Sequence, residues 1–225
     1  MPGMKLMSFS GLGAPLTFRE VPTVDAVYEA IALPDIEASD QVPVMPPEVR
    51  RRHAQVQVAL VKIGLSLGFR TWVARNDHGI IYEGKKLGEM HGVIGRLEDE
   101  RIISAFDNAV QAALLIDCIW SKNGKLMPAA IEIEHTTGVT TGLTRMQGLQ
   151  SRLPPFQTRW VIAAPDEDRN LVLRECNRPQ FRSLNAQYLP YSAVDELYSL
   201  CQRDRMHGVT DEFLDGFMEK TLSIQ

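Results

Sequence analysis

The feature of this sequence that most constrains its fold is a hairpin signal between two apolar runs. Residues 115–120 form the first run, and residues 129–135 alternate strictly between apolar and polar side chains. Asn123 and Gly124 lie between the two runs. An Asn-Gly pair favours the type I′ turn that joins neighbouring antiparallel strands. The sequence therefore predicts two adjacent strands, around which the other elements must be arranged.

The pairing across this turn decides which side chains share a face of the sheet. If the Asn-Gly pair is central to the turn, Asp117 lies opposite Ala130, and Glu132 is its diagonal neighbour on the same face. Glu134 follows on that face by alternation. The side chains that point to the other face, into the core, are apolar: Ile131 and Ile133. A slip of one residue would move Asp117 to the opposite face.

Three carboxylates on one face repel one another, and a cation would offset their charge. Oxygen ligands suit Mg²⁺, which keeps several waters and is usually held by one or two protein carboxylates together with phosphate oxygens. The cluster therefore indicates metal-assisted attack of water on a phosphodiester. The other interpretation is an exposed sheet face that happens to be acidic.

Hydrophobic periodicity and turn signals predict the remaining elements. Helices are expected at residues 48–67, 104–114, 142–149, 166–178, 192–206 and 210–222. Strands are expected at 69–73 and 159–164, and glycines spread through 78–100 indicate hairpins or a long loop. This order is typical of a three-layer α/β fold. Residues 1–47 form a poorly patterned arm with one short helix at 24–31.

Composition excludes several classes of protein. The net charge of −4 argues against a uniformly basic nucleic-acid coat, but 17 of the 24 basic residues are arginine, and three of them are adjacent at Arg50, Arg51 and Arg52. A local basic groove is therefore compatible with the sequence. No apolar stretch approaches the length of a membrane span, no secretion signal is evident, and no nucleotide-binding motif is present. The three widely spaced cysteines fit a reducing cytoplasm.

The hairpin, with residues 116–120 and 130–137, resembles the PD-(D/E)XK nuclease core of restriction endonucleases. The likeness extends over roughly residues 50–181, including residues 68–77 and 160–181. It implies a three-layer core with a mixed central sheet flanked by helices. The chain then divides into an arm (1–47), a nuclease core (48–185) and a C-terminal helical extension packed on the core (186–225).

The resemblance also assigns roles to the carboxylates. The metal-binding aspartate of the family corresponds to Asp117 and its second carboxylate to Glu132. Glu134 stands where the family has a lysine, which makes this an E-x-E variant. Because the lysine is thought to position or deprotonate the attacking water, Glu134 can replace it only as a general base or through the metal. The implied cofactor is Mg²⁺, for which Mn²⁺ can substitute.

Other polar residues are candidates for contact with DNA. In the family, the helix after the catalytic strand often directs a polar side chain at the scissile phosphate, and the candidates here are Arg145 and Gln147. The arginines at 50–52 are candidates for tracking the DNA backbone. His135 should face away from the carboxylates and have a structural role. His53 and Gln57, on the first helix, are assigned to packing or to solvent.

The sequence thus predicts a Mg²⁺-dependent endonuclease of double-stranded DNA, of the type II-like restriction or defence kind, that acts as a homodimer in the cytoplasm. Two alternatives stay open. The first is an inactive nuclease fold that serves as a DNA-binding or assembly subunit. The second is a structure-selective nuclease such as a junction resolvase.

Overall fold

The computed structural model describes residues 46–135, 138–203 and 211–221. The predicted N-terminal arm therefore lies outside the described residues, except for its last two positions, and so does its predicted short helix. Among the described helices, none has the length and apolar character that crossing a membrane would require. Cys118, Cys176 and Cys201 are buried and form no disulfide.

A six-stranded mixed sheet forms the centre of the fold, in the order β1-β4-β5-β6-β7-β8. The β5–β6 and β6–β7 pairs are parallel, and the others are antiparallel. Two further strands, β2 and β3, form a separate hairpin. The strands are β1 (Arg70–Val73), β2 (Ile81–Tyr82), β3 (Lys85–Lys86), β4 (Cys118–Lys122), β5 (Leu126–Ile133), β6 (Arg159–Ala164), β7 (Gln187–Pro190) and β8 (Glu219–Lys220).

Helices cover both faces of the sheet, as the predicted three-layer α/β class requires. The helices are α1 (Pro47–Ser66), α2 (Arg101–Ser104), α3 (Ala109–Ala113), α4 (Val139–Gln150), α5 (Arg169–Cys176) and α6 (Tyr191–Gln202). One core joins α1 and α6 to the face that carries Ile131 and Ile133. The other core joins α3, α4 and α5 to the opposite face, which carries Ala130. The predicted orientation of the two isoleucines is confirmed.

The hairpin forms where the sequence predicts it, but the predicted register is wrong by two residues. Ile119, not Asp117, pairs with Ala130. Asn123 and Gly124 have the positive φ angles of the predicted turn, but Lys122 pairs with Leu126 and a bulge follows between Trp120 and Lys122. Together these irregularities shift the pairing by an even number, so the faces of the carboxylates are unchanged. The register, extended by one residue, places Asp117 directly opposite Glu132.

Three other predictions of secondary structure are corrected. The helix expected at 104–114 is divided into α2 and α3, because Asn108 adopts a left-handed φ of 59°. The helix expected at 210–222 is a 3-10 helix followed by β8 within the described residues. Strand β7 was not predicted at all. Strands β7 and β8, from the region predicted as a helical extension, therefore belong to the central sheet.

Candidate active site

Asp117, Glu132 and Glu134 lie together at one end of the β4–β5 pair. Asp117 immediately precedes β4, Glu132 is in β5, and Glu134 follows the last residue of that strand. The three residues are 9%, 0% and 8% exposed, respectively. They are buried beneath α4, so the interpretation of an exposed acidic sheet face is wrong. Burial of three carboxylates is costly unless partners or a cation offset their charge.

Only part of that charge is satisfied by hydrogen bonds. The backbone N–H of Ile133 donates to Asp117 Oδ2 at 2.8 Å. The Arg145 guanidinium, from α4, donates to Glu132 Oε2 at 3.1 Å. Glu132 Oε1 is buried and has no hydrogen-bond partner within the described part of the chain. An acceptor in that position can be satisfied by a cation or by water.

The electrostatics of the cluster disfavour its fully ionised state. Burial, together with the charge of Asp117, raises the pKa of Glu132 well above its usual range, although Arg145 opposes this shift. Burial also raises the pKa of Asp117. The same two causes that act on Glu132 raise the pKa of Glu134 to about 7. A bound cation would reverse these shifts, because it favours the charged carboxylates.

The carboxylate of Glu134 lies against the N-terminal turn of α4. A Cβ added at Gly138 would overlap Glu134 Oε2, and one added at Gly142 would lie 2.7 Å from Oε1. A hydrogen bond from the Gly142 backbone lowers the pKa of Glu134 in part. The positive end of the helix dipole favours a carboxylate at this place and disfavours a lysine. This geometry gives a physical reason for glutamate at position 134.

Substitution of the two glycines by alanine tests this close approach. We expect Gly142→Ala to lower the free energy of unfolding by about 1–3 kcal/mol, because its Cβ would also lie 3.0 Å from Glu132 Cβ. Gly138→Ala should displace the Glu134 carboxylate. The control is Gly148→Ala on the same helix, whose Cβ meets nothing nearer than Arg152 at 3.7 Å. It should stabilise the protein by about 0.5–1 kcal/mol. Urea unfolding measures all three, and equal effects at 142 and 148 would contradict the account.

Sequence reasoning missed three residues that approach Asp117 from the other side. His53 of α1 and Asp77, which follows β1, each offer a ligand atom in a group with Asp117 whose atoms lie within 4.8 Å of one another. The Gln57 side chain is fully buried and donates to the Asp117 carbonyl at 2.9 Å. The spacing of His53 and Gln57, one turn apart on α1, was the available signal. Nothing local in the sequence indicates Asp77.

The candidate DNA contacts occupy different places. Arg145 reaches the carboxylates, but the Gln147 amide donates to the backbone carbonyl of Gln180. Arg52 pairs with Asp195 at 3.0 Å and stacks on the ring of Tyr191. These partners belong to α6, on the sheet face opposite to the carboxylates. The arginines at 50–52 lie on α1, and the structure brings only Arg145 into contact with the acidic cluster.

His135 faces away from the carboxylates, as alternation predicts. Its ring lies edge-on to Tyr191, and its Nε2 is 3.2 Å from the Tyr191 hydroxyl oxygen. The ring of His53 is 6.3 Å away, centroid to centroid. These contacts agree with the structural role expected for His135.

Comparison with known proteins defines the class to which this fold and site belong. The family model that matches residues 32–221 is one of restriction enzymes, described as "Type II restriction enzyme NmeDI C-terminal domain". The chain belongs to that family. It is 54% identical over 208 residues to the Type II restriction enzyme NmeDI of Neisseria meningitidis serogroup C. This match covers 91% of the chain but 58% of the relative. No solved structure matches the chain.

Proposed function

We propose that this protein is a Mg²⁺-dependent endonuclease that hydrolyses double-stranded DNA as part of a restriction or defence system. The observation that carries the proposal is Glu132, which is fully buried and keeps one carboxylate oxygen without a partner among the described residues. That oxygen faces the side of the sheet on which Asp117 lies. A hard cation satisfies such an oxygen, and the restriction-enzyme family supplies the class of reaction.

Each carboxylate has a distinct role in this proposal. Asp117 and Glu132 would hold Mg²⁺, for which Mn²⁺ can substitute. The bound ion supplies Lewis-acid stabilisation of the phosphoryl oxygens. Glu134 accepts the proton of the attacking water through its carboxylate, which the N-terminal turn of α4 holds in place. The arrangement corresponds to a PD-(D/E)XK site of the E-x-E variant on a restriction-endonuclease-like fold.

Arg145 is the proposed contact to the scissile phosphate. Its side chain is 37% exposed and already lies 3.1 Å from Glu132 Oε2. From this position the guanidinium stabilises charge that develops on the phosphoryl oxygens. Gln147 and the arginines at 50–52 are assigned to other contacts with DNA. Arg145→Ala should therefore slow turnover.

Two experiments separate this function from its alternatives. Nicking of plasmid DNA with Mg²⁺, and its absence in EDTA, separates an active nuclease from an inactive DNA-binding or assembly subunit. Equal cleavage of linear and branched substrates excludes a junction-selective nuclease. The account also proposes a homodimer, so that two sites address both strands of a duplex. Sedimentation with and without DNA tests that assembly.

DNA binding should depend steeply on salt, because each phosphate contact releases counterions. Without a divalent ion, the three carboxylates oppose the DNA phosphates, so Ca²⁺ should tighten binding while supporting little cleavage. Replacement of Arg50, Arg51 and Arg52 by alanine should reduce the slope of log Kd against log salt by about one unit for each phosphate that these side chains neutralise. Gel-shift titration at several salt concentrations measures both effects. Binding that ignores salt would exclude the proposed interface.

A further inference from the structure

A second cluster of metal-ligating side chains lies beside the acidic site. His53, Asp77 and Asp117 come from three separate elements, and one ligand atom of each lies within 4.8 Å of the others. His53 Nε2 is 3.8 Å from Asp77 Oδ2. This separation is too long for a hydrogen bond. The fold therefore holds the imidazole beside the carboxylate without pairing them closely.

The spacing of these atoms suits a shared cation. Metal–ligand distances to imidazole nitrogen and carboxylate oxygen are about 2.1 Å, so two ligands on opposite sides of an ion lie about 4.2 Å apart. Side-chain rotations that move the atoms by less than about 1 Å would bring the three ligands into this range. Small rotations of this kind need no change in α1 or in the sheet.

An independent observation comes from Gln57, one turn along α1 from His53. The side chain of Gln57 is fully buried, and its amide is fixed at one end by the bond from Nε2 to the Asp117 carbonyl. Its Oε1 is buried and has no hydrogen-bond partner in the described part of the protein. His53 Nδ1 is likewise buried without a hydrogen-bond partner there. Unsatisfied polar atoms this close together are costly unless a ligand or water completes them.

We infer that His53, Asp77 and Asp117 form a second cation site, which takes a transition metal ion in preference to Mg²⁺. Imidazole nitrogen suits ions such as Zn²⁺ and Co²⁺, whereas Mg²⁺ prefers oxygen ligands. Gln57 Oε1 would accept a hydrogen bond from a water bound to that ion. The inference depends on the proposed function only through Asp117, which belongs to both sites.

Equilibrium dialysis of the DNA-free protein against Co²⁺ tests this site without any measurement of cleavage. We expect two Co²⁺ per wild-type chain and one in His53→Gln or Asp77→Asn. The altered site should bind at least about 100-fold more weakly, since even outer partners of a metal contribute 10- to 100-fold. The visible absorption of bound Co²⁺ should change in His53→Gln. His91→Gln, at an exposed histidine, is the matched control and should bind as wild type does.

Glu132→Gln distinguishes failure of this inference from failure of the proposed function. It should lose the first site and keep the site at His53. If the His53 and Asp77 variants bind Co²⁺ as wild type does, the second site does not exist, whatever Glu132→Gln shows. If they lose an ion but Glu132→Gln loses none, the proposed Mg²⁺ site fails and this inference stands. Should His53→Gln not fold, Asp77→Asn alone decides, because Asp77 lies in a partly exposed turn.

Discussion

Replacement of Asp117 or Glu132 by alanine should abolish DNA cleavage and leave the protein folded. Each change removes one proposed metal ligand, and a metal ion contributes several kcal/mol to stabilisation of the transition state. At 1.36 kcal/mol for each factor of ten, we expect a loss of at least about 1000-fold in rate. Single-turnover cleavage of plasmid DNA with Mg²⁺ measures the loss.

The matched control is Asp107→Ala, which removes the same charge from an exposed residue between α2 and α3. Its rate should equal that of wild type. In the metal-free protein, Asp117→Asn should raise the Tm, because burial raises the pKa of Asp117 and the neutral amide avoids a costly buried charge. Cleavage at the wild-type rate by either alanine variant would mean that the metal site is misassigned.

Glu134→Gln should lower the rate of cleavage much more than the affinity for DNA. The amide keeps the shape of the side chain but cannot accept the proton of the attacking water. General-base catalysis contributes about 10²- to 10⁴-fold, so the single-turnover rate should fall by that amount. Kd, measured by gel shift with Ca²⁺, should change little.

The control for Glu134→Gln is Glu98→Gln, whose side chain is 47% exposed. Full single-turnover activity of Glu134→Gln would show that Glu134 is not the base. Glu134→Lys restores the usual residue of the PD-(D/E)XK pattern, but it places a cation against the N-terminus of α4. It should therefore unfold at a lower temperature than Glu134→Gln.

The sequence predicts the shared face of the three carboxylates but not their exact pairing. Alternation in β5 depends only on local backbone geometry, so the orientation of Glu132 and Glu134 could be inferred directly. Register depends on the turn and on the bulge, which lies opposite Pro128. Proline cannot donate to the ladder and marks bulges in interior strands, so this residue was the available signal.

The parts of the site that escaped prediction depend on contacts between distant elements. Asp77 lies 40 residues before Asp117 in the chain and reaches it only because β1 pairs with β4. Similarly, the burial of Glu134 beneath α4 requires the glycines at 138 and 142, whose role is invisible until the helix is placed. Strand β7 has too short a sequence pattern to distinguish it from a loop, and its place is fixed by pairing with β6.

The central claim is that this protein cleaves DNA at the Asp117–Glu132 site with a divalent cation. Incubation of the purified protein with several unrelated DNAs and Mg²⁺, in parallel with the Asp117→Asn variant, tests it most directly. The account predicts discrete fragments from the wild-type protein, no fragments from the variant, and none from either protein in EDTA. Intact DNA in every wild-type reaction, or the same fragments from Asp117→Asn, would contradict it.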